Sequence, residues 1–247
     1  MGNFLEIPCK TAVAFHLLFQ DKLTIVTLVD SLRNIIWIIV AYLIGSIPTA
    51  YLVAKRVQKI DIREHGSGNV GATNVFRVVG KGWGSAVLAL DIVKGWLVTA
   101  LIAPHSGVFL ELSPALRQFL FAAAAIAGHT WTPWLKLKGG KGIATSAGAL
   151  LGIFPLATVA ALFIWAICLA LWRYISLASI VAAASFPVLL LIFYRDIESF
   201  GAIFAISLAL VIVLIYNHRA NIDRLRRGQE PRVNFAFGKN PPPTSSK

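Results

Sequence analysis

The sequence predicts an all-α integral membrane protein of about seven transmembrane helices, with the N-terminus outside and the C-terminus cytoplasmic. Three observations point there. Of the 247 residues, 57% are hydrophobic and only 14% are charged, whereas soluble domains run near roughly 45–50% apolar and about 25% charged. The apolar excess lies in blocks without a single charged side chain, at residues 34–54, 118–135, 142–172, 174–194 and 199–218. A helix rising about 1.5 Å per residue crosses a hydrocarbon core of about 30 Å in about 20 such residues. The net charge of +12 gathers at the ends of these blocks, which is the pattern of topology and lipid contact rather than of nucleic-acid binding.

Residues 1–33 read as an N-terminal extension. Lys10, Lys22 and Arg33 flank a weak apolar stretch with no small-residue cleavage site, so no signal peptide is assigned. Glu6 stands where a myristoylation motif needs Ser or Thr. A short surface helix is expected there. The first span is placed at 35–54 and the second at 84–103. The second carries Asp91 and Lys94, three residues apart and so on one helical face. Opposite charges inside a membrane helix pair or face a wet cavity. A third span covers 115–133. Block 142–172 is 31 residues long, about 46 Å as one straight helix. Gly152 and Pro155 sit in its middle, where a helix breaks, so two short helices joined by a tight turn are expected. Spans at 175–193 and 199–216 follow. Parity agrees: the basic segments 55–81, 136–141 and the tail after Tyr216 fall on one side only if 142–172 crosses twice. Residues 34–232 then form a single transmembrane domain, and 233–247 a Pro/Ser-rich, disordered cytoplasmic tail. Cys9 and Cys168, far apart, suggest neither a disulfide nor a cysteine metal site.

Three basic, polar segments carry the candidate chemistry. The first runs from Gly66 to Arg77. Gly68 and its neighbours allow sharp turns that expose N–H groups to an anion. Ser67, Asn69, Thr73 and Asn74 add polar groups, and Arg77 a guanidinium fork suited to phosphate. No Walker spacing is present. The second segment places Lys136, Lys138, Gly139, Gly140, Lys141 and Gly142 before a helix start, a candidate anion cradle reinforced by the helix N-terminus. Trp131 and Trp134 would equally suit the membrane interface. The third segment holds His218 and Asn221, which share a face if the helix continues past Tyr216. His218 could accept a hydroxyl proton, while the surrounding arginines also suit anionic lipid.

The run Gly45-Ser46-Ile47-Pro48-Thr49-Ala50, the segments 66–77 and 136–145, and His218-x-x-Asn221-Ile222-x-Arg224-Leu225-x-x-Gly228-x-Glu230 closely resemble the bacterial acyl-phosphate-dependent glycerol-3-phosphate acyltransferases. The resemblance spans about residues 34–230. It implies transfer of a fatty acyl group from acyl phosphate to the sn-1 hydroxyl of glycerol 3-phosphate, giving lysophosphatidate and phosphate. It implies neither metal nor other cofactor, and a bacterial inner membrane with the active site on the cytoplasmic face. Substrates, membrane lipids and the enzyme that makes acyl phosphate are the implied partners. By resemblance Ser67, Arg77, His218 and Asn221 are catalytic, Gly139, Gly140 and Gly142 serve glycerol 3-phosphate, and Glu230 is structural. The link 173–179 also looks family-like, with Ser179 as a substrate contact.

A His-x4-Asp spacing, which other glycerolipid acyltransferases use, occurs at His16/Asp21 and His218/Asp223. The first lies in the extension. In the second a continuous helix would set the two side chains about 140° apart, so both are read as coincidence. An anion transporter, the leading reading from another class, would show internal repeats with broken helices; no convincing repeat is found.

Overall fold

The computed structural model describes residues 28–29, 32–106 and 112–233, and all regular structure among them is helical. Most of the expected extension and the tail from residue 234 lie outside the described residues, as does the His16/Asp21 pair. Helix α1 covers residues 32–46 and α2 covers Thr49–Gln58. The expected first span is therefore interrupted at Ile47-Pro48, where Pro48 has no N–H to continue the ladder. Together the two pieces still make a stretch, Leu32–Val57, long and apolar enough to cross a membrane.

A short 3-10 turn, Ile62–Glu64, leads to α3 (Ala72–Val78) and then α4 (Lys81–Leu97). Helix α4 runs through a wider π-turn at Val98–Ile102 into α5 (Ala103–His105). Helix α6 (Pro114–Thr130) begins with Ser113, whose hydroxyl accepts from the Leu116 amide, and with Pro114 at its first position; both are start signals with a physical basis. Block 142–172 divides as expected, into α7 (Ile143–Leu151) and α8 (Pro155–Trp172) about a turn at 152–154. Helices α9 (Ile175–Tyr194), α10 (Phe200–Asn217) and α11 (Arg219–Arg226) complete the described chain.

Among the described residues, five stretches are long and apolar enough to span: Leu32–Val57, Lys81–His105, Pro155–Trp172, Ile175–Tyr194 and Phe200–Asn217. Of the other two expected spans, α6 has 17 residues and α7 only nine. Helix α7 lies along α4, and α8 pairs with α9. The α4–α7 approach is close because Gly148 meets the Ile92 carbonyl and Gly95 meets the Thr145 carbonyl, with no room for a Cβ at either. A core joins α6, the α7–α8 turn, α9 and α10 through Phe119, Phe154, Leu190 and Ile203. Phe154 is its centre, with ring centroids 5.9 Å from Phe119 and 5.0 Å from Tyr194, the edge-on geometry aromatic pairs favour. The outward faces carry Leu156, Phe163, Leu171, Ile192 and Ile212, all exposed. In water such a surface would aggregate; against lipid tails it is the expected coat.

Candidate active site

The first loop is wound around Asn74. This residue sits in the first turn of α3 and is 1% exposed. Its Oδ1 accepts from the Ser67 amide at 2.9 Å, and its Nδ2 donates to the carbonyls of Ile62 (3.2 Å) and His65 (3.0 Å). The carboxamide is thereby committed to the loop, which corrects its expected place as a substrate donor. Next to it, Asp61 caps the 3-10 turn and pairs with Arg63 at 2.6 Å. The hydrogen bond from Arg63 holds the Asp61 carboxyl down at about 2. With Asn74 fixing its base and Gly68 at φ 68, the loop presents Ser67, Gly68 and Asn69 along one wall.

The second loop is tied to the break in the first span. Thr132 Oγ1 donates to the Ser46 carbonyl (2.7 Å), and Trp134 Nε1 donates to Ser46 Oγ (2.9 Å). The amides of Gly139 and Gly140 donate to the carbonyls of Thr130 and His129, at 3.0 and 3.1 Å. These amides are therefore not free to cradle a phosphate, contrary to the expectation for a glycine-rich anion loop. Lack of a side chain is what both positions require. A Cβ on Gly139 would collide with the His129 carbonyl, and one on Gly140 with the His129 ring and the Val70 carbonyl of the first loop. Gly142, at φ 82, then turns the chain into α7.

Beneath this loop lies a buried polar cluster. Lys94 Nζ, on a residue 5% exposed, reaches Asp91 Oδ1 at 2.8 Å, the Ile47 carbonyl at 3.0 Å and His129 Nδ1 at 3.0 Å. Thr49 Oγ1 donates to the same Asp91 oxygen at 2.6 Å. The pair read from the sequence is thus a packing ion pair, and it joins α2, α4, α6 and the helix break. Neither Thr49 nor His129 carried a sequence signal for it.

The third segment departs from one continuous helix. Helix α10 ends at Asn217, and α11 begins after His218, which sits at the junction with φ −95° and ψ 5°. His218 Nδ1 lies 2.8 Å from the Leu214 carbonyl. A carbonyl only accepts, so Nδ1 carries the hydrogen and Nε2 the lone pair. Burial, with Lys141 nearby, pushes the His218 imidazole down to about 4, so it is neutral near pH 7. Asp223 pairs with Arg227 at 3.1 Å, and His218 turns to the Leu214 carbonyl instead.

Glu230 gathers the segment. Its Oε1 accepts from Ser176 Oγ and from Asn221 Nδ2, both at 2.7 Å, and its Oε2 from Arg224 Nε at 2.7 Å. Burial alone would raise this carboxyl, but the three donors and the Arg224 charge hold it below its ordinary range. Asn221 Oδ1 in turn accepts from Lys141 Nζ, which carries the second loop onto the third segment.

Two clefts open along the first loop and share Gly68 and Asn69. One, of about 420 Å³, is lined by Asp61, Arg63, Glu64, Lys138 and Gly139 as well. The other, of about 250 Å³, brings Ser67, Lys141, Asn217, Arg219, Asn221 and Arg224 together. Residues from all three basic segments therefore meet in the second cleft. Arg77 lines neither, yet lies within electrostatic range of Glu230 and Arg224; desolvation lowers its pKa against the pull of Glu230. Thr73, Asn74, Lys136, Gly140, Gly142 and the buried His218 also line neither cleft. Ser179 is 4% exposed on α9 and accepts from Trp165 Nε1 at 3.2 Å. The serine of that link which reaches the site network is Ser176. The sequence reading did not select Asp61, Arg63 and Glu64 of the first cleft, or Asn217, Arg219, Ala220 and Arg224 of the second; the place of the last four on a broken helix end is visible only in three dimensions.

The sequence matches the family Glycerol-3-phosphate acyltransferase over residues 35–228. A glycerol-3-phosphate acyltransferase of Desulforudis audaxviator (strain MP104C) is 47% identical over 206 residues, 83% of this chain and 98% of that protein. Another, of Clostridioides difficile (strain 630), is 38% identical over 199 residues, 81% of this chain and 95% of that one. The crystal structure of PlsY (YgiH), an integral membrane glycerol 3-phosphate acyltransferase, in its glycerol 3-phosphate form matches with a TM-score of 0.72 at 32% identity. That likeness covers 81% of this chain and 96% of the other. Its lysophosphatidic acid form matches at 0.69 and 31% identity, covering 81% and 95%. On sequence and on fold alike, this chain belongs to the glycerol-3-phosphate acyltransferase family.

Proposed function

We propose that this protein moves a fatty acyl group from acyl phosphate to the sn-1 hydroxyl of glycerol 3-phosphate, releasing lysophosphatidate and inorganic phosphate. The observation that carries the reading is the second cleft, where Ser67, Lys141 and Asn221 come together from three separate segments. Both substrates carry phosphate, and this cleft is lined by three cationic side chains, Lys141, Arg219 and Arg224. Acyl phosphate is a mixed anhydride with a good leaving group, so charge stabilisation rather than strong acid catalysis is what the reaction needs.

The hydroxyl oxygen of glycerol 3-phosphate attacks the acyl carbonyl carbon, and the bond from that carbon to the phosphate oxygen breaks. Lys141, Arg77 and Arg224 stabilise the departing phosphate. Ser67 donates a hydrogen bond, and Gly68 and Asn69 shape the wall on which the phosphates rest, with Thr73 further along the chain in the first turn of α3. His218 offers Nε2 as an acceptor that orients the attacking hydroxyl. With its pKa at about 4 it is a poor base, so the proton passes to the leaving phosphate. Lys138, beside the larger cleft, guides soluble glycerol 3-phosphate inward. In this reading the membrane is the bacterial inner membrane, the chain crosses it seven times with α6 and α7 included, and the clefts face the cytoplasm, where the basic loops belong.

The test is turnover in liposomes with glycerol 3-phosphate and either palmitoyl phosphate or palmitoyl-CoA, following lysophosphatidate. Product from acyl phosphate alone is expected. Product from the CoA donor alone would replace the donor assignment, and an acyl adduct trapped on Ser67 would replace the hydrogen-bonding role given to it.

A further inference from the structure

Asn217, the last residue of α10, lines the second cleft. Its Nδ2 is buried and has no hydrogen-bond partner among the described residues. The polar groups around it are differently placed. Asn221 Nδ2 is committed to Glu230, Lys141 Nζ to Asn221 Oδ1, and the His218 Nδ1 hydrogen to Leu214. One donor in the cleft is thus buried without an acceptor, an unfavourable state that a bound acceptor relieves. Its surroundings name the acceptor's chemistry. Lys141, Arg219 and Arg224 line the same cleft, and no carboxylate does, so an anionic oxygen fits and a cation does not.

We propose that Asn217 is a substrate-binding residue whose Nδ2 donates to a phosphate-monoester oxygen in the second cleft. The proposal deepens the acyltransferase reading and rests on it for the identity of the phosphate, which belongs either to glycerol 3-phosphate or to the acyl donor. The neutral amide adds a directional contact to the charge of the long cationic side chains that line the cleft, and so fixes the phosphate's orientation.

The experiment compares wild type with N217A, N217D and N217Q in liposomes, varying glycerol 3-phosphate and palmitoyl phosphate in turn. Losing a hydrogen bond to a charged partner is expected to raise one KM by about tenfold or more in N217A, with kcat within about threefold. The substrate whose KM moves is the one whose phosphate meets Asn217. N217D, which places an anion there, raises the same KM further, and N217Q, which keeps a donor, raises it least. Both KM values of N217A and N217D staying within about twofold of wild type would overturn the proposal, as would equal rises in the two variants. If N217A does not fold, N217D against N217Q carries the comparison, and equal KM values overturn it. A wild type inactive with either donor removes the acyltransferase reading instead. The rise in melting temperature caused by inorganic phosphate then decides: lost in N217D but kept in N217Q supports Asn217, unchanged in both refutes it.

Discussion

Replacing Lys141 by methionine lowers kcat/KM by about 10³-fold, the scale of removing one principal charge-stabilising donor from a transition state, while the protein stays folded. Methionine keeps an unbranched side chain one atom shorter and removes the ammonium that bridges the second loop to Asn221. If Lys141 served only to anchor the loop, the loss would appear in stability and in KM; a fall confined to those two would defeat the role assigned here. The group also predicts a pH profile. Burial, with Arg224 and Arg77 nearby and against the pull of Glu230, brings Lys141 from 10.5 down to about 8. The charged form is the one that stabilises phosphate, so kcat/KM falls as pH rises through about 8, and that limb is absent in K141M. Stability moves the other way. Between about 8 and 10.5 the unfolded chain holds a proton that the folded one has released, so folding becomes more favourable as pH rises across that window. Activity and melting temperature measured over the same range should diverge.

The second large effect is on stability. Asp91→Leu leaves Lys94 buried without its carboxylate and is expected to cost about 3–5 kcal/mol, seen as a large drop in melting temperature in detergent. Asp91→Leu combined with Lys94→Leu removes both charges and should recover most of that loss, because a buried pair replaced by apolar groups is often close to neutral. Additive losses in the double variant would show that the two groups do not act as a pair. The double variant keeps Thr49 and His129 but not the ammonium that joins Ile47 and His129.

Much of the fold was legible because its signals are local. Charge-free blocks marked the long helices, and Gly152 with Pro155 marked the turn between α7 and α8. Pro48 gave the same kind of signal, yet the apolar run around it hid the break. The three basic segments were legible for the same local reason, and Ser67, Lys141 and Asn221 do meet. What failed to show were partners from distant sequence. Ser176 meets Glu230 across 54 positions, and nothing local distinguishes it from Ser179. The glycine amides of the second loop looked free because their acceptors, the His129 and Thr130 carbonyls, belong to the end of another helix. Asn74 looked like a ligand donor for the reason that makes it a good loop organiser: a carboxamide bonds to either.

Helix α7 has nine residues, so it rises only about 14 Å, less than half the hydrocarbon thickness of about 30 Å. It begins immediately after Lys141 and Gly142 and is packed against α4 and α6. Lipid that reaches a column this short has two choices, to thin or to let headgroups sink. Under the proposed topology, either brings the acyl donor's headgroup down to the lysine without pulling its chain out of the leaflet. Turnover should then depend on bilayer thickness, fastest in short-chain phospholipid and slower as the chains lengthen. Rates independent of chain length would mean that the donor leaves the leaflet before it reacts.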